Sequence, residues 1–443
     1  MAVVFVNIAH VFREFGVGSY VVREPELTSE KLRSAIGVLF TSSWIIAFIL
    51  FFGSGFIASW FNEPKMVPVI QVLSLGFLFT PFGSITSSLL TRGFEAYKQA
   101  KITAIATLTY TVTCLGLAWL GFGTMSLAWA NLANIVVTGL ACIPLRPKDT
   151  PWFPSFRKWR GVIDFGLGSL LSNCSAEINN SLPDILLGKL SGARAVGLTS
   201  RANSTVNIFG YIAGATVNYG ALTYVSQAHQ RGESLTPLLN RAISLLTGTG
   251  WPVLGVTAIF AKEIITALYG ATWLESAEII PLLAIAGMIS MAFNYTPTAL
   301  TALGRVYVSA VPTVITMVVR IVAGISLFDG TLLSFAWALL IANIAVIPIM
   351  LFQQIRYLSY SSKAMAIAIW PSAIVTVACT LAAVLLKLIM LPQLPAALNL
   401  AIAAIPLTAV WYGTIRIIKH PLTVEIDHFM EAIKSRLFSR SKR

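Results

Sequence analysis

The chain has 443 residues, of which 56% are hydrophobic and only 11% charged, with a mean hydropathy of +0.78. A soluble globular protein carries about 25% charged residues, so a water-solvated domain is excluded and the chain reads as an all-α integral membrane protein. The net charge of +13 does not point to nucleic acid. Most Lys and Arg residues fall in alternate loops and in the C-terminal tail, where the positive-inside rule expects them.

Taken in order, the predicted spans are residues 2–22, which carry Arg13 and Glu14, then 36–60, 66–90, 102–120 and 124–145. A polar-flecked helix over 162–188 follows, with Asp164, Glu177 and Asp184, and then 195–222, 242–268, 279–300, 307–327 and 332–351. A last pair covers 364–388 and 396–417. Most hold the ~20 apolar or weakly polar residues that cross a ~30 Å hydrocarbon core, giving about thirteen spans. Arg23, Lys31 and Arg33, then Arg92, Lys98 and Lys101, then Arg146 to Arg160 mark one side of the membrane as cytoplasmic. That side also holds the tail, so the C-terminus is expected inside and Met1 outside.

Signals for chemistry are missing. Cys114, Cys142, Cys174 and Cys379 are isolated in apolar stretches and read as buried thiols; His10, His229, His420 and His428 lack ligand spacing. No Walker loop, dinucleotide fingerprint or Ser/His/Asp arrangement occurs, so neither an enzyme nor a cofactor or metal is expected. The first charge is Arg13, so no basic n-region stands before the first apolar run and a signal peptide is not expected there.

The chain repeats itself at about 210 residues. Leu27, Thr28 and Arg33 recur as Leu235, Thr236 and Arg241; Gly76, Leu89 and Gly93 recur as Gly287, Leu300 and Gly304. An even number of spans per copy keeps both copies in one orientation, which predicts two lobes related by an axis along the membrane normal. The expected domains are a first lobe over 1–145, a basic cytoplasmic linker over 146–161, a second lobe over 162–355, an extra helix pair over 364–417 and a basic amphipathic tail over 418–443. The lobes count five and six helices, and the counterpart of the helix over 162–188 would precede Met1, so the first lobe is expected to lack its opening helix.

Three stretches carry a family likeness: Phe15 to Arg23 with Leu27 to Arg33, Leu182 to Gly197, and Ala267 to Glu278. With the repeat and the extra pair, they resemble the MOP superfamily of flippases and exporters, and within it the Wzx-type polysaccharide flippases. The resemblance implies a cofactor-free membrane protein of the bacterial inner membrane. It would move a polyprenyl-pyrophosphate-linked oligosaccharide for exopolysaccharide, O-antigen or other lipopolysaccharide synthesis, by alternating access of two lobes. It also implies partnership with a polysaccharide polymerase and chain-length machinery. A peptidoglycan-precursor flippase and a cation-coupled multidrug exporter are the alternatives. The sequence assigns neither H+ nor Na+ as a coupling ion.

Charged and amide groups inside apolar helices are costly and face a bundle interior or a wet cavity. Asn173, Glu177, Asn180 and Asp184 follow one another at steps of four, three and four, which puts them on one helix face. That stripe either bonds to a neighbouring helix or lines a cavity, and Asp184 near the helix end is alternatively a partner for Lys189. Arg13 and Glu14 are adjacent and point about 100° apart, too far for a good mutual ion pair. Arg201 enters a helix and either lines the path or snorkels to the interface. Arg320 sits mid-span, where it either lines a cavity or pairs with a carboxylate. For a phosphate-bearing cargo, arginines are the informative charges because they bind oxyanions in bidentate fashion. In the tail, Ile426, Phe429, Met430, Ile433 and Leu437 make an apolar stripe that predicts an interfacial helix with a polybasic end.

Overall fold

Apolar runs in a bilayer must satisfy every backbone N–H and C=O internally, so they fold as helices. In a computed structural model of the chain, residues 16–60, 64, 66–147, 150–151, 153–155, 157–208, 210, 221–389, 394–428 and 431 are described. The secondary structure assigned to them is helical, and ten helices are long and apolar enough to cross a membrane. Their outer faces carry large apolar side chains that water would not tolerate in such density, such as Phe52 at 79% exposure and Leu388 at 78%. The chain is a multi-pass membrane protein.

Contacts divide it into two units. The first contains α1 (Val17–Arg23), α2 (Ser29–Trp60), α3 (Met66–Arg92), α4 (Ala96–Trp119), α5 (Met125–Cys142), the start of α6 (Trp159–Val206), α7 (Ala221–Gln230) and residues 301–310. Here α3 packs against α1, α2 and α5, and α7 packs against α1. Val21, Ala35, Ile36, Leu39, Ile85 and Val162 form a fully buried knot at this contact.

The second unit contains the rest of α6, then α8 (Leu235–Ile259), α9 (Ala261–Tyr269), α10 (Ile280–Ala292), α11 (Tyr295–Ala302) up to residue 300, and α12 (Val306–Ser326) from residue 311. It continues with α13 (Leu332–Ala345), α14 (Ile347–Leu358), α15 (Ser362–Ile389) and α16 (Ala396–Ile417). Its core joins Leu187, Leu254, Ile265, Ile280 and Phe335. Helices α2, α3, α4 and α5 begin about 210 residues before α8, α10, α12 and α13, in the same order. The repeat seen in the residues is thus a repeat of elements.

Several spans that read as continuous are broken, and the breaks have causes. The helix predicted over 242–268 starts earlier, because the Ser234 side chain accepts from Thr236 N at 3.4 Å, and it stops at the fully buried Phe260 before α9 resumes. The span over 279–300 divides at Phe293 and Asn294. Pro297 there offers no N–H to the Phe293 carbonyl, and its ring crowds that group. Pro348 acts likewise where α13 gives way to α14. Helix α6 bends at Gly192, whose φ of 81° and ψ of −176° no β-carbon-bearing residue adopts cheaply.

The extra pair, α15 and α16, is pinned to α8 through a buried histidine. His420 is fully buried, and its Nδ1 accepts from Leu422 N at 3.1 Å. That bond places the proton on Nε2, which donates to Ser372 Oγ at 3.1 Å. Thr247 Oγ1 of α8 lies 2.8 Å from the same hydroxyl. Burial without a carboxylate partner pushes the imidazole down to about 4. An unfolded histidine titrates near 6.5, so protonation favours the unfolded state and stability falls as the pH drops from about 6.5 to about 4. The melting temperature of the wild type should therefore approach that of a His420→Gln variant over this interval in detergent. A constant gap between the two curves would show that His420 does not titrate there.

The described part of the tail, up to Asp427 and including Ile426, packs on this unit through the Arg416–Asp427 and Arg241–Glu425 ion pairs. Phe429, Met430, Ile433 and Leu437 lie outside the described residues.

Candidate functional site

Polar side chains in a membrane helix need a wet or protein neighbour, and each unit gathers its own into a cavity. In the second unit a cavity of about 640 Å³ lies among α6, α10, α12 and α13. Arg320, the one formally charged side chain of α12, lines it together with Asn180, Asn203, Asn207, Ser290 and Asn343. Asn343 Nδ2 is tied to Leu339 O at 2.9 Å, and its Oδ1 accepts from Ser290 Oγ at 3.2 Å. Asn180, Asn203 and Asn207 make no side-chain hydrogen bond among the described residues. No acidic side chain is among the described lining residues.

Arg320 is half-buried and held at one end only. Its Nη1 donates to Asn179 O at 2.8 Å and to Asn179 Oδ1 at 3.1 Å. Its Nε is out of contact with solvent and has no hydrogen-bond partner among the described residues. A buried donor left unmade costs about 1–3 kcal/mol, more for a charged group, so a guanidinium kept only for packing would be expected to have one. Asn179 leaves the Nε–Nη2 edge without a partner among the described residues. With Nε shut off from solvent, Nη2 is the nitrogen left to donate to an oxygen of a phosphate or carboxylate.

The other candidates scatter. Asn180 lines this cavity, whereas Glu177 belongs to the first unit and is half-buried with no ion pair among the described residues. Asp184 is exposed and forms no ion pair with Lys189. Asn173 falls on α6, with its side chain outside the described set, and Arg13 and Glu14 also lie outside the described residues. Arg201 is absent from the cavity lining; its guanidinium stacks 5.3 Å from the ring centres of both Tyr269 and Trp273. Two aromatic faces satisfy a cation of low hydration well.

The first unit holds a cavity that the sequence reading missed. It encloses about 590 Å³ between α1, α3, α5 and Leu222 of α7. Its wall is built by close helix approach: a Cβ on Gly83 of α3 would stand 3.5 Å from the backbone of Gly139 on α5. That seam turns Ser84, Ser87, Ser88 and Thr91 of α3 toward Asn131, Asn134 and Thr138 of α5. The steps of three, four and seven in both sets were readable as one polar face per helix. Without a charge among them they resembled the ordinary back-bonded hydroxyls of membrane helices.

With this geometry in hand, comparison with known proteins gives three concordant results. The family model described as "Polysaccharide biosynthesis protein" matches residues 1–278. The teichuronic acid biosynthesis protein TuaB of Bacillus subtilis (strain 168) is 21% identical over 353 residues, covering 76% of this chain and 70% of that protein. The lipopolysaccharide biosynthesis protein WzxC of Escherichia coli (strain K12) is 20% identical over 323 residues, covering 70% of this chain and 63% of that one. Among solved structures, the lipid II flippase MurJ in its inward closed conformation superposes with a TM-score of 0.67 at 13% identity, covering 94% of this chain and 92% of MurJ. An outward-facing multidrug resistance MATE transporter of the MOP superfamily gives 0.64 at 17% identity, covering 80% and 85%. At these identities the structures establish a shared fold.

Proposed function

From the premise that this chain belongs to the polysaccharide biosynthesis protein family, whose model covers its first 278 residues, we propose that it is a flippase for a polyprenyl-pyrophosphate-linked oligosaccharide repeat unit. It moves that cargo across the bacterial inner membrane for exopolysaccharide or O-antigen synthesis, without catalysing a reaction. Two relatives named for teichuronic acid and lipopolysaccharide biosynthesis support the cargo class, and the MurJ and MATE folds support transport by alternating access.

The observation that carries the reading is Arg320. A cation in an Asn-lined cavity, with no acidic residue among the described lining and an Nη2 left without a partner there, suits the pyrophosphate of such a cargo. The Asn180, Asn203 and Asn207 amides hydrate the same space, whose polar character spares the charge the full cost of hydrocarbon. An amphiphilic-cation exporter would ask for the opposite charge here, which favours the flippase over the multidrug alternative. Glu177 and Asp184 stay proposed path residues outside this cavity, and Arg13, Glu14 and Asn173 stay proposed path residues; Arg201 on its two rings is proposed as a positioning group.

An apolar groove of about 430 Å³ between α8 and the α15–α16 pair, lined by Val253, Val256, Leu407 and Trp411, suits a polyprenyl tail. Cytoplasmic placement of Arg443, external placement of Met1, and cooperation with a polymerase and chain-length machinery complete the proposal, resting on loop charge and on the family. Reconstitution of the purified protein in vesicles tests it, by whether the lipid-linked sugar crosses the bilayer.

A further inference from the structure

We propose that the cavity of the first unit is a subsite for uncharged sugar rings of the cargo, reading hydroxyl and acetamido groups by hydrogen bonds alone. The inference rests on the flippase reading above and adds where, and by which residues, the glycan is recognised.

The argument begins with what the lining can and cannot bind. Among the described residues that enclose this space of about 590 Å³ there is no Lys, Arg, His, Asp or Glu, and no aromatic ring. Among these residues an anion would find no counter-charge, and a lipophilic cation neither a carboxylate nor a π face. What the cavity offers is a dense set of neutral donors and acceptors, in the ~300–1,000 Å³ size range of small-molecule sites.

Those groups fall into two classes. Thr80, Ser88, Thr91 and Thr138 donate to carbonyls four residues back in their own helices, at 2.7 to 3.1 Å. Their protons are used, so they present lone pairs and act as acceptors. Ser19, Ser84, Asn131 and Asn134 line the same space and have no side-chain partner among the described residues. They supply the free donors. Two amides and two hydroxyls left unmatched inside one helical unit are costly to insert into a membrane, and packing gives no reason for them.

A sugar hydroxyl both donates and accepts, so it needs this mixture and neither class alone. An Asn side chain sets an acceptor and a donor side by side, matching a vicinal hydroxyl pair or an acetamido group. Val22, Ile135 and Leu222 add small apolar patches for the C–H faces of the ring. Water is the competing occupant, and a site of this kind exchanges water for hydroxyls with little net energy per bond. Specificity then comes from the number and placement of bonds, which suits selection of a glycan whose affinity resides elsewhere.

The test uses the full chain reconstituted in vesicles with two probes: undecaprenyl diphosphate bearing a neutral N-acetylhexosamine disaccharide, and undecaprenyl diphosphate without sugar. The readout is the ratio of their translocation rates. Asn131→Leu with Asn134→Leu keeps a γ-branched side chain, favours the helix and removes both amides. The ratio should fall about tenfold, with the bare lipid changed less than twofold. Ser19→Ala with Ser84→Ala removes the two free hydroxyls with little risk to folding and should lower the ratio about threefold at unchanged melting temperature. An unchanged ratio in both double variants, or an equal fall for both probes, overturns the sugar subsite while leaving the flippase reading intact. Failure of the wild type to move either probe overturns the flippase reading, and the subsite with it.

Discussion

Replacing Arg320 with Gln should lower polysaccharide export about 30- to 100-fold while leaving the amount and melting temperature of the protein close to wild type. The magnitude follows from losing a charge-assisted hydrogen bond to a phosphate, about 2–3 kcal/mol, at about 1.4 kcal/mol per decade. The sparing of stability follows from the structure, because the guanidinium has no carboxylate partner among the described residues to leave stranded and is bonded only to Asn179. Placing an Arg at the centre of a membrane helix costs roughly 2.5–3.5 kcal/mol on insertion scales, so Gln relieves a cost as well as removing a contact. Arg320→Lys keeps the charge without the fork and should fall between the two, near a tenfold loss. Export at wild-type rate in the Gln variant would remove Arg320 from the path. A collapse in yield with Gln, restored by a compensating change at Asn179, would assign it to the scaffold.

The second large effect concerns folding. Gly168 on α6 is buried, and a Cβ there would overlap Val306 Cγ2 and stand 3.1 Å from Tyr307 Cε2. Overpacking of this kind costs about 1–3 kcal/mol and more when backbone must move. Gly168→Ala should lower the melting temperature by several degrees, and Gly168→Leu should prevent accumulation of folded protein. Val306→Ala removes the overlapping methyl, so the Gly168→Ala/Val306→Ala pair should be less destabilised than the sum of the single variants. Strict additivity in that cycle would mean that the two residues do not touch.

How much of this was legible beforehand differs by feature. The spans over 36–60, 66–90 and 396–417 stand out because lipid selects for uninterrupted apolar length, and α2, α3 and α16 follow them closely. The breaks at Phe260 and at Phe293–Asn294 were not legible, because they depend on what is packed there and on a proline four residues downstream, while composition stays apolar throughout. Arg320 was conspicuous because a lone cation in a span is expensive. Its Asn179 partner was not, since Asn179 stands one position off the stripe that runs through Asn180. The neutral cavity of the first unit stayed hidden for a related reason: serine and threonine are cheap in membrane helices when they bond their own carbonyls. Only the convergence of α1, α3 and α5 shows that Ser84 and Asn134 have a space to face.

The stripe on α6 illustrates the limit of periodicity. Asn173, Glu177, Asn180 and Asp184 share a face by spacing, yet Asn180 lines a cavity of the second unit, Asp184 is exposed, and Glu177 is grouped with the first unit. A helix that passes from one unit to the next presents the same face to successive surroundings, and spacing alone cannot say where the surroundings change.

The most direct measurement is leaflet transfer in vesicles that contain only the purified protein. A polyprenyl-diphosphate-linked oligosaccharide placed in one leaflet should become accessible from the other much faster than in protein-free vesicles, and a lipophilic cationic dye should not be expelled under either a proton or a sodium gradient. Sugar-lipid transfer no faster than in protein-free vesicles, with gradient-driven dye export in its place, would contradict the flippase assignment and make this chain a drug exporter on the same fold.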